Sequence, residues 1–387
     1  MGYFSEQMIA QQEQGWDFQE GAVCTGCIAD SHLRKVIESN AVESVHCDFC
    51  ENTSAADIDV LVEALMGGIV KEYEPAIEGV SWDGSEGGYQ WNPKWDSWDL
   101  IDEFSDAIGN EAVVGKIRLS VHPQDWVEKD FQVRRRHDVL GDAWSSFCET
   151  IKYRTRYTIW LRPATEKPDP GEVLPAAILD QIGELIKEVG LIRSLSEGET
   201  WWRTRFEDEP ISPTAKELGT TPTKLARQAN RMSPAGLPLF YGAEQLDTAI
   251  SEATGHAETH QMSGRFQLHG NAKVVDFTAM PDIPSVFDPK LGHRRRELIF
   301  MHQFVKQLSE PTGEGNDQVD YVPTQVVTEF ILQRLLGKGT VDGVIYKSSL
   351  GEGSCVALDI SNELCVDSTN EAHDNKPALL LVETHDA

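Results

Sequence analysis

The sequence predicts an α+β protein whose N-terminal half is mainly helical, and three observations carry that prediction. From about residue 55, apolar side chains recur at helical spacing, as in Ile58, Leu61, Leu65 and Ile69. Beyond residue 195, strand-like runs and helices mix without a regular βαβ alternation, which argues against a doubly wound parallel sheet. Neither a Gly-x-Gly-x-x-Gly nor a P-loop pattern occurs, so the two commonest nucleotide-binding signatures are absent.

A length of 387 residues exceeds one ordinary core and implies two or three domains. The hydrophobic share of 40%, with ten tryptophans, is enough to fill those cores. Lysine and arginine number 34 against 63 acidic residues, a formal charge of -29. Such a surface repels a phosphate backbone, so nucleic acid is not an expected partner. No run of about 18 apolar residues occurs, and the start MGYFSEQMIAQQEQGWDF lacks the basic and apolar regions of a signal peptide. Glu6 stands where a myristoylation pattern beginning at Gly2 requires Ser or Thr. The expectation is a cytoplasmic chain with no membrane segment.

The first motif is a pair of knuckles. Cys24-x2-Cys27 and Cys47-x2-Cys50 leave nineteen residues (28 to 46) between their inner members. In a cytoplasmic chain this spacing suits a tetrahedron of thiolates around zinc, because each Cys-x2-Cys turn presents two sulfurs on one side. Two redox pairs, or a chance spacing, are the competing readings. Four cysteines complete the shell, so His32 and His46 are read as neighbours. The zinc is read as structural, because no coordination position is left for a substrate. Cys148, Cys355 and Cys365 are scattered and read as core residues.

Ser54 is the expected N-cap of the first long helix, with Asp57 in its first turn. An acidic, glycine-containing loop follows with Trp82, Trp91, Trp95 and Trp98, read as a lid packed on helices, and leads into a helix near Leu100 to Ile108. Trp126 to Tyr157 reads as one or two further helices, with a solvated basic face at Arg134 to Arg136. The prolines and charges of Arg162 to Pro175 mark a linker. Pro175 then opens a helix whose apolar residues are Leu179, Ile182, Leu185, Ile186 and Val189, stopped by Gly190.

In the C-terminal half, Trp201 to Phe206 reads as a strand with charges between aromatics. Asn230 to Glu252 reads as a turn, a short buried strand at Leu237 to Tyr241, and a helix ending at Glu252. That unit brings Arg231, Tyr241 and Glu252 to one edge. A cation, an aromatic face and a carboxylate suit an anionic ligand that carries a ring. A polar, histidine-containing loop, Gly255 to Gly270, precedes a buried strand at Ala272 to Phe277. Met301 to Leu308 and Val322 to Leu336 read as helices, and Val341 to Ser349 and Ser354 to Ile360 as a closing pair of strands.

Taken in order, WWRTRF, NRMSPAGLPLFYGAEQLDTAISE, KVVDF, DYVPTQVVTEFI and DGVIYKSSLGEG resemble the successive blocks of the RES domain. The helices from about residue 55 to 160 resemble the HEPN/RES N-terminal domain. The resemblance implies an ADP-ribosyltransferase-like C-terminal domain with NAD as substrate: RES proteins are toxins that deplete NAD by cleaving its nicotinamide-ribose bond, with phosphate or water as acceptor. Carried over block by block, it implies Arg203 and Arg231 as clamps on the pyrophosphate and Tyr241 as a stacking face for nicotinamide. It implies Glu252 as the catalytic carboxylate, and Ser348, or alternatively Ser349, as a hydrogen-bonding partner of ribose or phosphate. Where the family often places Arg or Asn after the serine, this chain has Leu350 and Cys355. The expected domains are a zinc-knuckle segment (1–54), a HEPN/RES domain (55–162), a linker and helix (163–195), a RES domain (196–366) and an acidic tail (367–387).

The chemistry agrees with these residue types, since cleavage of the bond passes through a cationic ribose that a carboxylate stabilises. ADP-ribosyl transfer to a protein or RNA uses the same residues and is the first alternative. HEPN ribonuclease chemistry needs Arg-x4 to 6-His. Arg118 with His122 and Arg136 with His137 miss that spacing, and Arg296-x5-His302 falls in the RES-like half. A non-catalytic sensor is the third reading. The expected role is an effector in antiphage or toxin-antitoxin function whose N-terminal half restrains or triggers NAD loss. A regulatory protein or antitoxin, and self-association, stay open as partners.

Overall fold

Ile58, Leu61, Leu65 and Ile69 line the buried face of one helix in the computed structural model. The structure describes residues 14–85, 88–91, 93–129, 134–160, 172–207, 213–253, 260–310, 317–371 and 376–386. The N-terminal start and most of the expected linker, residues 162–171, lie outside the described residues, as do residues 255–259 of the expected histidine loop. The chain forms two units, residues 1–134 with 283–296, and residues 135–282 with 297–387.

In the first unit, β1 (Ala22–Val23), β2 (Val42–His46) and β3 (Thr53–Asp57) form an antiparallel sheet with β3 central. Helix α1 (Ser31–Asn40) is capped by Asp30, whose side chain accepts from the amides of His32 and Leu33. Helix α2 (Ile58–Glu72) starts later than expected: Asp57, not Ser54, is its cap and accepts from the Asp59 amide at 3.0 Å. Pairing with Val23 and Val42 and burial of Ala55 and Ala56 hold residues 53–57 in β3, so strand pairing overrides the local capping signal. The helix expected near Leu100 to Ile108 forms as two short ones, Ser97–Asp102 and Ser105–Ile108, followed by α3 (Glu111–Ser120). Trp126 sits in a strand, Asp125–Glu128, and not in a helix, because it pairs with Pro75 and Trp95. Trp82 and Trp98 are exposed, at variance with a packed lid, whereas Trp95 sets its ring edge-on to Tyr73. The segment 283–296 supplies Phe287, buried against Gly68 and Phe104.

In the second unit, α4 (Arg136–Tyr153) and α5 (Ile178–Val189) precede a mixed sheet. Gly190, with φ at +82°, ends α5 in the expected place. The strands are β4 (Ile192–Leu195), β5 (Thr200–Glu207), β6 (Phe240–Ala243), β7 (His260–His269), β8 (Ala272–Asp276), β9 (Gly343–Lys347), β10 (Ser354–Leu358), β11 (Cys365–Val366) and β12 (Ala378–Asp386). Their order is β11-β12-β7-β5-β6-β10-β9-β8-β4, with only β8/β9 and β11/β12 parallel among the described residues. Between these strands run α6 (Leu246–Ala253), α7 (Arg295–Ser309) and α8 (Val322–Gln333).

Strand alternation divides the sheet's side chains between two cores. Tyr241, Ala243, Tyr346, Cys355 and Ala357 face a core with α4, α5, α7 and α8. Trp201, Phe240, Phe266, Val356 and Leu358 face the other, with Leu218. Two expectations are corrected here. The supposed histidine loop is largely β7, because Met262, Phe266 and Leu268 alternate inward onto the core. The supposed tail supplies β12, paired with β7 along its length. Helix α4, which the boundary expected at 162 leaves in the HEPN/RES domain, joins this unit through Trp144 and Phe147.

Candidate functional site

The turn at Arg231 is held from α8. The Thr324 hydroxyl donates to the Arg231 carbonyl, and Gln325 Nε2 to the Asn230 carbonyl at 2.9 Å. Asn230 and Ser233 bridge each other, closing the turn. From β6, the Tyr241 hydroxyl accepts from the Met232 amide at 3.2 Å and meets Ser233 Oγ at 2.9 Å, tying strand to turn. Burial pushes the Tyr241 phenol up to about 12.

Helix α6 buries Thr248 and Ala249, and Glu252 follows them by four and three residues, on the same side of the helix. Glu252 is itself exposed. Ser348, just past β9 and 7% exposed, donates from Oγ to Glu252 Oε1 at 2.6 Å. The same Oγ accepts from the amides of Leu350 and Gly351, at 3.1 and 3.0 Å. Among the described residues, no donor reaches Glu252 Oε2. Cys355 Sγ lies 3.9 Å from Oε1, and burial, then Glu252, push its thiol up to about 12. Arg231 Nη1 donates to the carbonyls of Leu308 and Glu310, at 3.0 and 2.8 Å, and Nη2 to Ser349 Oγ at 3.4 Å.

The structure thus brings together Glu252 and Ser348, ties Tyr241 to the turn that carries Arg231, and links Arg231 to Ser349. Arg203 reaches this group only at the Tyr241 backbone carbonyl. Arg203 is across from Gly264 on β5, one residue after Trp202, and therefore on the Phe240 side of the sheet. Its Nε and Nη1 donate to the carbonyls of Leu218 and Tyr241, both at 2.7 Å, and burial and Arg205 pull its pKa down to about 9. It braces β6 from behind. Sequence reasoning missed Cys355 and Tyr346 as neighbours of Glu252. Tyr346 was marked only by standing two residues before Ser348, on the same side of a strand.

A separate cluster lies in the first unit. The sulfurs of Cys24, Cys27, Cys47 and Cys50 are all within 4.8 Å of one another, with Cys24 and Cys50 at 3.4 Å and Cys27 and Cys47 at 3.8 Å. These four thiols can hold a metal ion. Side-chain amides of Asn110 and Asn52 reach Cys27 and Cys24, at 3.4 and 3.8 Å, as supporting donors. His32 is turned to Asp288, 3.5 Å away.

Residues 40–165 match the family model described as HEPN/RES N-terminal domain 1, and residues 200–374 match that of the RES domain. The chain belongs to the RES domain proteins that carry a HEPN/RES N-terminal domain. No curated protein and no solved structure matches it. Cys24 and Cys27 stand upstream of the first match, and the match runs past the end of the first unit to include α4. Among the described residues, no helix is long and apolar enough to cross a membrane.

Proposed function

We propose that this chain cleaves the nicotinamide-ribose bond of NAD, passing the ADP-ribosyl group to water or phosphate. The observation that carries the reading is the 2.6 Å hydrogen bond from Ser348 to Glu252, which fixes one carboxylate oxygen and leaves the other open. In the reaction the ring-nitrogen to ribose C1′ bond breaks and its electron pair stays with nicotinamide. The pyridinium becomes a neutral leaving group, so no general acid is needed. The cationic ribose is met by the Glu252 carboxylate, which also orients a ribose hydroxyl. Tyr241 offers its ring to nicotinamide, Arg231 places a positive charge for the pyrophosphate, and Ser348 positions Glu252. Arg203 supports β6 and has no place on the substrate in this reading.

The cysteine cluster is read as a structural zinc site. A tetrahedron with Zn–S near about 2.3 Å has sulfurs about 3.8 Å apart, close to the distances between these thiols. Zinc there supplies folding energy and no substrate position. With labelled NAD, release of free ADP-ribose or its phosphate supports cleavage. Label retained on protein or RNA shifts the reading to ADP-ribosyl transfer.

A further inference from the structure

Residues 348–353 join β9 to β10, and the chain from Glu244 to Glu252 holds this loop at three points. Glu252 Oε1 accepts from Ser348 Oγ at 2.6 Å. Thr248 Oγ1 donates to the Glu352 carbonyl, also at 2.6 Å. Glu244, just before α6, accepts through Oε2 from the Ser354 amide and hydroxyl, at 3.4 and 3.1 Å. The three holding residues are spaced by four, and their partners run the opposite way, from 354 back to 348. Thr248 and Glu252 are one helical turn apart on one side of α6, so the same helix face sets both the loop and the carboxylate.

The middle contact is the closest. Thr248 is buried, and a Cβ at residue 351 falls 2.6 Å from its Oγ1 and 3.0 Å from its Cβ and Cγ2, so the approach requires glycine. Gly351 in turn gives its amide to Ser348 Oγ at 3.0 Å. The glycine pressed against Thr248 is therefore one of the donors that hold the serine. We propose that Thr248 is a positioning residue, whose hydroxyl and close contact with Gly351 seat the loop on α6 and so set Ser348 against Glu252. The effect on rate rests on the NAD-cleaving reading; the seating of the loop is measurable without it.

The test compares Thr248→Val, which keeps the shape and removes the donor, with Thr248→Ser, which keeps the donor, in the full chain. Gly351→Ala, at an exposed loop position, pushes the loop away from the other side. Amide hydrogen exchange of the 348–354 peptide reads the seating, and steady-state NAD consumption reads the reaction. Thr248→Val and Gly351→Ala are each expected to speed exchange about tenfold. They should also lower kcat about tenfold, with KM within about twofold of the parent. Thr248→Ser recovers most of both losses. In a Ser348→Ala background, Thr248→Val lowers kcat by no more than about twofold, because the contact acts through the serine. Exchange unchanged in both Thr248→Val and Gly351→Ala overturns the seating. Faster exchange with kcat unchanged, or a full loss repeated in the Ser348→Ala background, overturns the positioning role. If the parent leaves NAD intact, the NAD reading falls and the rate effect with it, while faster exchange in the variants still establishes the seating.

Discussion

Ser348 Oγ donates to Glu252 Oε1 at 2.6 Å while accepting from the amides of Leu350 and Gly351, so its one donor and both lone pairs are in use. A serine held this way holds a carboxylate in turn. Ser348→Ala releases the carboxylate and leaves two amides without their acceptor. The expected outcome is a fall in kcat on the order of 10²-fold, the usual result of a misplaced catalytic group. A stability loss of about 1–3 kcal/mol accompanies it. Steady-state kinetics beside urea unfolding separates the two effects. Ser348→Thr, which keeps the hydroxyl, recovers part of the rate.

Alkaline pH acts through the same cluster. Burial, then Glu252, raise the Cys355 thiol from 9.0 to about 12, and burial raises the Tyr241 phenol from 10.0 to about 12. Both groups are neutral in the fold, and their folded values lie above the unfolded ones. Their contribution is therefore complete below pH of about 9 and is lost as pH rises toward about 12. Melting temperatures should fall across that window, less steeply for Cys355→Ala. In the native protein at neutral pH, mass spectrometry should find Cys355 resistant to alkylation, because thiolate is the reactive form.

The cysteine cluster predicts about one zinc per chain, lost on substituting Cys47 with Ser. Metal analysis measures the first, and thermal unfolding with and without chelator measures the cost of removal. If the purified protein contains no zinc and chelator leaves its unfolding unchanged, the structural role of the metal is wrong.

Gly68 on α2 packs against Phe287, and a Cβ at residue 68 falls on the phenyl ring. Gly68→Ala should destabilise the first unit by about 1–3 kcal/mol, as overpacked cores do, measured by urea unfolding. The variant also tests whether segment 283–296 folds with the N-terminal unit, as its ion pair from Arg296 to Glu72 indicates.

Much of this was legible in the sequence because it is local. The knuckle spacing, the Pro175 to Gly190 helix, the closing strands β9 and β10, and the turn and helix of the unit from Arg231 to Glu252 follow from short-range patterns. That unit's strand falls at Phe240–Ala243 and not at Leu237 to Tyr241, and Leu237 is exposed. What was not legible depends on distant partners. β3 looked like the start of a helix until Val23 and Val42 paired with it. β7 looked like a loop because polar residues interrupt Met262, Phe266 and Leu268, whose burial needs the core beneath them. Arg203 was expected as a pyrophosphate clamp from block order, which does not tell on which side of its strand the side chain lies, whereas its bond to the Leu218 carbonyl puts it on the Phe240 side. The approach of Cys355 to Glu252 likewise joins residues 103 positions apart.

The central claim is that Glu252 breaks the glycosidic bond of NAD. The most direct measurement follows NAD over time with the purified full chain beside Glu252→Ala, with and without added phosphate. The wild type is expected to consume NAD with free nicotinamide as product, and the variant to do so on the order of 10³-fold more slowly. A dependence on phosphate identifies the acceptor. NAD loss at equal rates in both proteins would contradict the assignment of Glu252, and wild-type protein that leaves NAD intact would contradict the cleavage itself.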